Sequence, residues 1–377
     1  MNKKKKHGNK IGILAGAVLF ALAACLYGAA RWISGFADWY TTHVYARLVE
    51  AIGRVFGAVS LSVAEILLYA LLLWAIALIL VVIYDIVRYK GHGKVSTGML
   101  SASIFLVGFL SFLYVANCGV NYYRTSFADT IGLETVEYTA EDLAGVCQWL
   151  TDEVNQASCN VVRDADGCMV FGEEMSGNSE NSQENVSADI TSAADVMEAL
   201  AKRYPCLSGY YPQTKTLLFP KLLSYQSCTG VYSPFTIEAN VNTDTTAYNI
   251  PFTKCHELSH LRGFMSEKEA NFIAFLACIN SSDADYSYSG YLIGWINCMN
   301  VLYRTDAETY AGIRSQLLPE VETDLKANSV YWEKYEGTVS EIHDKVNDSY
   351  LKANGQQEGI ESYNRMVDLI VAYYETC

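Results

Sequence analysis

Three long apolar runs near the N-terminus constrain the fold of this chain more than any other feature. The first, residues 11–30, contains no charged residue and is long enough to cross a bilayer as a helix, which takes about 20 residues. Two further apolar runs cover about 61–84 and 99–116. Because the first run exceeds the apolar core of a cleaved signal peptide and two more follow, we interpret it as a membrane span. The sequence therefore predicts a membrane region, residues 1–116, with three transmembrane helices.

The positive charges of this region predict its orientation in the bilayer. Lysines 3–6 and Lys10 precede the first span, and a short basic loop, residues 88–94, separates the second and third spans. Because basic loops stay on the cytoplasmic side, we expect both segments to be cytoplasmic. The 31–60 segment is then outside, and residues 31–57, with several aromatic residues, are predicted to form a short interfacial helix. With three spans, residues 117–377 lie outside the cytoplasm, as the major domain of a multi-pass cell-membrane protein.

Composition excludes one class of function. The formal net charge is -14 over 377 residues, so no basic face of domain size is available and a nucleic-acid partner is not expected. The chain has 11 cysteines, ten of them after the last span, with no Cys-x-x-Cys pair or zinc-ribbon spacing. In an exported domain several of them could form disulfides, with no pairing indicated.

The motif with the most chemical content is His-Glu-x-x-His at residues 256–260. On a helix, residues four apart lie on the same face, so His256 and His260 can bind one Zn²⁺ ion. Glu257 is then placed to act on a zinc-bound water as general base. Cys255, next to the first histidine, points about 100° away around the helix and is predicted to be buried. An ordinary helix with two surface histidines is the alternative.

A zinc site of this kind needs a third protein ligand, and the residues after the motif supply candidates. Gly263 can end the helix in a left-handed turn. Ser266 then resembles an N-cap, with Glu269 completing a capping box, so that a second helix follows and returns a carboxylate toward the histidines. If Glu269 caps the helix, Glu267 is free to bind zinc, and we prefer it, with Glu269 as the alternative. Asn271 is predicted to support a ligand by a hydrogen bond.

These residues resemble two groups of proteins. The segments 256–260 and 267–271 are similar to the motifs of Glu-zincin metallopeptidases, in which the first Glu of the second motif binds zinc and the Asp or Asn four residues later supports a histidine. The spacing here is shorter than in thermolysin-like enzymes. The layout also resembles a bacterial membrane family, domain-of-unknown-function family 3810, whose members combine an N-terminal membrane region with His-Glu-Leu-x-His-x-x-Gly-Phe and Glu-x-Glu-Ala-Asn-Phe.

The rest of the exported domain is predicted in less detail. Helices are expected over 140–156, 193–204 and 267–280, and the Ser/Asn/Glu-rich stretch near 172–191 is predicted to be a flexible insertion. An edge strand is expected over 231–241, with Pro234 tolerated only at an edge or bulge. It is either an ordinary strand or one that holds an extended peptide by strand addition. Residues 346–355 are predicted to form a loop.

Two further side chains were considered for the site. His343 could stabilise an oxyanion or bind the metal, although a helix surface is the simpler location for it. Tyr350 is another possible electrophile. No Gly-x-Ser-x-Gly elbow is present, so the sequence does not support a serine hydrolase.

Together these features predict an α+β protein. Its N-terminal three-helix membrane region precedes a mainly helical, zincin-like extracytoplasmic domain with a small sheet, which covers residues 117–377. The predicted function is a membrane-anchored zinc metallopeptidase, with the lipid bilayer and a peptide or protein substrate as partners. The alternatives are a non-catalytic protein that binds zinc, or a scaffolding protein of the cell envelope.

Overall fold

A computed structural model of the chain provides the description that follows. The residues it describes are 2–89, 94–135, 137–172, 192–354, 356 and 365–376. The predicted flexible insertion therefore falls almost entirely outside the described residues, as does most of the basic loop between the second and third spans. The chain forms two compact units. The first comprises Met1–Arg124 together with Ser233–Glu238, and the second comprises Thr125–Tyr232 and Ala239–Cys377.

The first unit contains the three predicted spans. Its helices are α1 (Asn2–Trp32), α2 (Phe36–Tyr40), α3 (Ala46–Gly57), α4 (Val63–Tyr89) and α5 (Lys94–Tyr114). A π-helical turn joins α2 to α3, and another continues α5 toward residue 119. Stretches of α1, α4 and the helix that begins with α5 are long and apolar enough to cross a membrane. The prediction of three membrane-spanning helices is thus supported, whereas their orientation stays a prediction.

Glycine allows α1 and α5 to pack closely. An added Cβ on Gly108 would fall 2.1 Å from the backbone oxygen of Gly16, and one on Gly16 would fall 2.6 Å from that of Ile104. Helices in a bilayer gain little from burying apolar surface against each other, because lipid tails are equally apolar. Small residues that permit close backbone contact take that role, and here they hold the first and third spans together.

The second unit is mainly helical. Its helices up to residue 224 are α6 (Phe127–Ile131), α7 (Ala140–Ser158), α8 (Ala193–Arg203) and α9 (Lys221–Ser224), the last of which lies between the first and second strands of the sheet. Those after it are α10 (Asn249–Leu261), α11 (Glu267–Ile279), α12 (Ala284–Thr305), α13 (Ala307–Arg314), α14 (Pro319–Glu333), α15 (Thr338–Ala353) and α16 (Met366–Glu375). The helices expected over 140–156, 193–204 and 267–280 are confirmed within two residues at each end.

A small mixed sheet precedes α10. Its strands are β1 (Lys215–Thr216), β2 (Gly230–Ser233) and β3 (Glu238–Val241), in the order β1-β3-β2. The expected single strand over 231–241 is wrong, because Pro234 cannot donate a ladder hydrogen bond and Ile237 adopts a positive φ of 53°. A turn therefore separates two strands, and β2 lies at the edge.

Two smaller expectations were also tested. The loop predicted over 346–355 is wrong, since α15 continues to Ala353; its amphipathic pattern outweighs the polar residues that suggested a loop. Cys255 is fully buried, as predicted. Among the described residues, Cys147, Cys255, Cys278 and Cys298 are buried free thiols.

Helix α12 forms the centre of the second unit. It packs against α7, α10 and α11, and its aromatic side chains Tyr286, Tyr288 and Trp295 are almost fully buried. Trp295 donates a 2.8 Å hydrogen bond from its ring nitrogen to Thr151 of α7, which satisfies its polar atom inside the core. The two helices that carry the metal-site motif thus lie against a rigid, aromatic-rich support.

Candidate metal centre

Helix α10 carries the motif and is buried along nearly its whole length. All but two of its 13 residues are buried, including Lys254, Glu257 and His260. A helix surrounded on all sides needs no apolar stripe, which is why the sequence around the motif is not strongly amphipathic. Near its start, Ser289 of α12 accepts a 3.1 Å hydrogen bond from the backbone nitrogen of Phe252. Because isolated buried charges are costly, the buried polar side chains of α10 indicate a functional site.

The turn after α10 fixes the orientation of the second histidine. Gly263 adopts the left-handed conformation with φ of 89°, as predicted, and lets the chain reverse direction. Phe264, which follows, directs its backbone oxygen to within 2.9 Å of His260 Nδ1. This carbonyl accepts the Nδ1 proton and leaves Nε2 facing Glu267, the tautomer that metal-ligating histidines commonly adopt. No sequence motif indicates the role of Phe264, because it depends on the path of the chain after the glycine.

Helix α11 begins where it was expected but is capped differently. Ser266 is the N-cap residue, yet its side chain makes no capping hydrogen bond. The predicted capping box with Glu269 is therefore wrong. The Glu269 carboxylate is buried and instead accepts a hydrogen bond from the backbone nitrogen of Phe127 in α6. A long-range backbone partner thus replaces the local one that the sequence suggested.

Glu267, the first residue of α11, lies beside both histidines. Its Oε2 is 3.2 Å from His256 Nε2, and its Oε1 is 3.6 Å from His260 Nε2. The two histidine Nε2 atoms are 3.0 Å apart. We refer to His256, His260 and Glu267 as the three-donor cluster. Of the two carboxylates considered from the sequence, the structure places Glu267 and not Glu269 in it.

The spacing within the three-donor cluster fits a metal ion of the zinc type. Two ligand atoms about 2.1 Å from a tetrahedral zinc ion are about 3.4 Å from each other, close to the three distances of 3.0, 3.2 and 3.6 Å between Nε2 and carboxylate atoms. Two imidazole nitrogens and a carboxylate are also ligands that zinc accepts. Among the described residues, His256 Nδ1 is buried without a hydrogen-bond partner. The donor set and its spacing therefore suit such an ion.

The ionisable groups of the three-donor cluster shift each other's pKa. Burial alone would lower the pKa of His260, but the Glu267 carboxylate outweighs burial and raises it to about 9. Burial pushes the pKa of Glu267 upward, but the positive charge of His260 and close contacts with both histidines hold it well below its usual range. Metal binding at this site must therefore displace a proton from His260.

The Glu257 side chain lies against the edge strand β2. The backbone nitrogen of Tyr232 in β2 donates a hydrogen bond to its carboxylate, and burial raises its pKa to about 6, with His256 and His260 opposing the rise. Within the described chain, its Oε2 has no hydrogen-bond partner. A Cβ on Gly230 would fall 2.6 Å from Glu257 Oε1, so only glycine leaves room for this carboxylate. Gly230 and Tyr232 were not predicted as site residues, since neither belongs to a motif.

The remaining predicted site residues lie in different surroundings. Asn271 is half-buried on α11, and no hydrogen bond links its side chain to the cluster among the described residues; its supporting role stays a prediction. His343 on α15 is not a freely exposed surface residue, since its Nε2 lies 3.5 Å from the thiol sulfur of Cys228, just before β2. Burial raises the pKa of Cys228 to about 12, and Glu257 and Glu267 add to the rise. Tyr350 is exposed.

Two structural features characterise this protein. The protein has three helices long enough to span a membrane and a mainly helical second unit with a buried His–His–Glu cluster. The chain belongs to a family described as proteins of unknown function (DUF3810), which matches residues 40–371. No curated protein and no solved structure matches the chain. The resemblance to this family is thus confirmed, and the resemblance to Glu-zincins stays a prediction.

Proposed function

We propose that this protein is a membrane-anchored, zinc-dependent metallopeptidase. The observation that carries the proposal is the buried Glu257 carboxylate, whose pKa is about 6 and whose Oε2 has no partner within the described chain, next in sequence to a ligand of the three-donor cluster. A structural metal site is closed and needs no such group, whereas a hydrolytic site needs a base and an open coordination position. The resemblance of the two motifs to those of Glu-zincins points to peptide bonds as the substrate.

Each residue of the site has a distinct role in this proposal. His256, His260 and Glu267 would hold the ion, which when bound supplies Lewis-acid polarisation of the substrate carbonyl. Glu257 accepts a proton from the attacking water and donates it to the leaving nitrogen. Glu257 is buried beside His256, so its carboxylate can take up a proton and release it within the site. The Phe264 carbonyl keeps His260 in the tautomer that presents Nε2.

The location of the site is a separate part of the proposal. Three spans and the basic segments at 3–10 and 88–94 support a cytoplasmic N-terminus and a second unit outside the cytoplasm. A reporter enzyme that is active only outside the cytoplasm should give a signal when it is fused after residue 130. A signal from a reporter that works only in the cytoplasm would contradict this orientation.

Metal removal tests the proposed activity. The full-length protein, purified in detergent, should contain close to one zinc ion per chain and cleave members of a quenched fluorescent peptide library. Treatment with a chelator should abolish cleavage, and added Zn²⁺ should restore it. Zinc at one ion per chain without any turnover would favour the alternative, a non-catalytic zinc-binding protein. Absence of metal in a folded sample would favour the scaffolding alternative.

A further inference from the structure

A cavity of about 370 Å³ lies within the first unit. Its walls come from α3, α4 and α5 and from Phe235 in the turn between β2 and β3. Every lining side chain is a leucine, isoleucine or phenylalanine. The volume is in the range of small-ligand pockets, about 300–1,000 Å³, and the uniformly apolar lining restricts what can occupy it.

The turn that carries Phe235 is held in place by buried polar contacts. The Glu238 carboxylate accepts hydrogen bonds from the backbone nitrogens of Val63 (3.2 Å) and Ala64 (2.7 Å). It thereby caps the first turn of α4, where a negative charge is favourable. Asn117 donates a 2.7 Å hydrogen bond to the backbone oxygen of Pro234. These contacts keep the turn fixed at the cavity wall.

The backbone of this turn also carries strain. Ile237 is fully buried and has a φ of 53°, which is rare for a β-branched residue. Such a conformation persists only where the surroundings enforce it, and it is concentrated at ligand clamps and functional sites. The strain indicates that the position of the turn, and with it that of Phe235, is a built feature.

Chemistry excludes most occupants. An ordered water needs two to four polar partners, and the side chains that line the cavity have no polar atom. An extended peptide would leave its backbone groups without hydrogen bonds. An empty void forfeits the dispersion contacts of its lining. A hydrocarbon chain can make dispersion contacts with the apolar side chains that line the cavity.

The cavity is continuous with the lipid-facing surface of the spans. Two of the lining residues, Leu67 and Phe109, belong to candidate membrane-spanning helices, and their side chains are 43% and 39% exposed. A lipid acyl chain can therefore enter from the side without leaving the hydrocarbon. We propose that this cavity binds one acyl chain of a bilayer phospholipid, held between α4, α5 and Phe235. The site is distinct from the metal centre, and its test does not depend on peptidase activity.

Photo-crosslinking tests the proposal on the wild-type protein. The full-length chain is placed in nanodiscs of phosphatidylethanolamine and phosphatidylglycerol, part of which carries a diazirine on one acyl chain. After illumination and transfer to detergent, mass spectrometry should locate adducts mainly in segments 106–113 and 233–238. Adducts spread evenly along the exposed faces of the spans, or absent from both segments, would overturn the proposal, because they would reflect bulk lipid only.

Native mass spectrometry of matched variants gives a second measurement. Wild-type protein should retain one phospholipid per chain after mild detergent extraction. Leu110→Trp fills the cavity and should reduce the retained fraction at least tenfold. Leu73→Trp adds the same bulk to α4 outside the cavity, at a side chain that is 68% exposed, and should behave as wild type. Equal retention in both variants, or a lipid-free dimer in the wild type, would refute the assignment.

Discussion

The two units of this protein have opposite relations between polarity and burial. In the first unit, large apolar side chains are exposed, such as Leu73 at 68% and Val87 at 80%. In the second, charged side chains of α10 and α11 are buried, such as Glu257 at 4% and His260 at 8%. Exposed leucine on a long apolar helix is explained by lipid as the surrounding solvent. Buried charge has no such general explanation, and groups of this kind are the candidates for a functional site.

The largest expected effect removes a charge from the buried cluster. Glu267→Ala takes away one of three donors and should lower zinc affinity by more than the ~10–100-fold that the loss of a supporting hydrogen-bond partner costs. Zinc content of the purified variants, measured by elemental mass spectrometry, checks this result.

Glu269→Ala provides the matched control for that measurement. It should keep the metal and lose about 1–3 kcal/mol of folding stability, because the buried backbone nitrogen of Phe127 loses its acceptor. If Glu269→Ala is the variant without zinc and Glu267→Ala retains it, the assignment of ligands is reversed.

The second effect is a pH dependence of metal binding. In the metal-free protein the pKa of His260 is raised from 6.5 to about 9, so this histidine is protonated at neutral pH and the metal competes with its proton. Zinc affinity should rise about tenfold per pH unit between pH 6.5 and 9, with about one proton released per ion, and level off above that. Competition with a chromophoric chelator at several pH values measures the slope.

The same raised pKa has an opposite consequence for the metal-free fold. The histidine binds its proton more tightly in the folded chain than in the unfolded one, so its contribution to stability is complete below pH 6.5 and is lost as the pH rises through about 9. A zinc affinity that does not change between pH 6.5 and 9 would show that His260 is neutral in the metal-free protein.

The third effect comes from placing a charge on the apolar surface of the first unit. Leu73→Arg puts a charge in the second span, which should disfavour membrane insertion by up to about 2.5–3.5 kcal/mol, the cost at a helix centre. Leu218→Arg replaces a leucine of the second unit that is 46% exposed and should have little effect. Alkaline extraction of membranes separates the two. Equal membrane retention of both variants would mean that α4 is not surrounded by lipid.

A smaller effect is expected at Gly230. Alanine there would bring a Cβ within 2.6 Å of Glu257 Oε1, so Gly230→Ala should displace the carboxylate and reduce kcat by about 10- to 100-fold, the scale of a misplacement of about 1 Å. Zinc content should stay at the wild-type level. Gly145→Ala, where an added Cβ meets nothing within 4 Å, is the control. Unchanged kcat in Gly230→Ala would show that Glu257 tolerates a shift.

Features encoded by nearby residues were predictable. The spans follow from uninterrupted apolar runs, and the convergence of His256, His260 and Glu267 follows from helix periodicity and a glycine turn within 12 residues. Gly263 was identified because a left-handed turn has a specific residue preference. The family resemblance added the order of the two motifs.

Features that depend on distant packing were not predictable. The backbone nitrogen of Phe127 carries no sequence signal, so Glu269 was assigned to a local capping box that does not form. Gly230 faces Glu257 only because β2 packs against α10. The strained Ile237 divides what resembled one strand. In each case a tertiary contact outweighed a local preference.

The most direct test of the account concerns Glu257. Glu257→Gln keeps the shape of the side chain but removes the proton acceptor, whereas Glu269→Gln makes the same change at a buried carboxylate of the neighbouring helix and keeps an acceptor for Phe127. Peptide turnover of the two variants at equal zinc content is the measurement. The account predicts a ~10²–10⁴-fold loss for Glu257→Gln, the range of general acid–base catalysis, and near-wild-type turnover for Glu269→Gln. Wild-type turnover in zinc-loaded Glu257→Gln would contradict it.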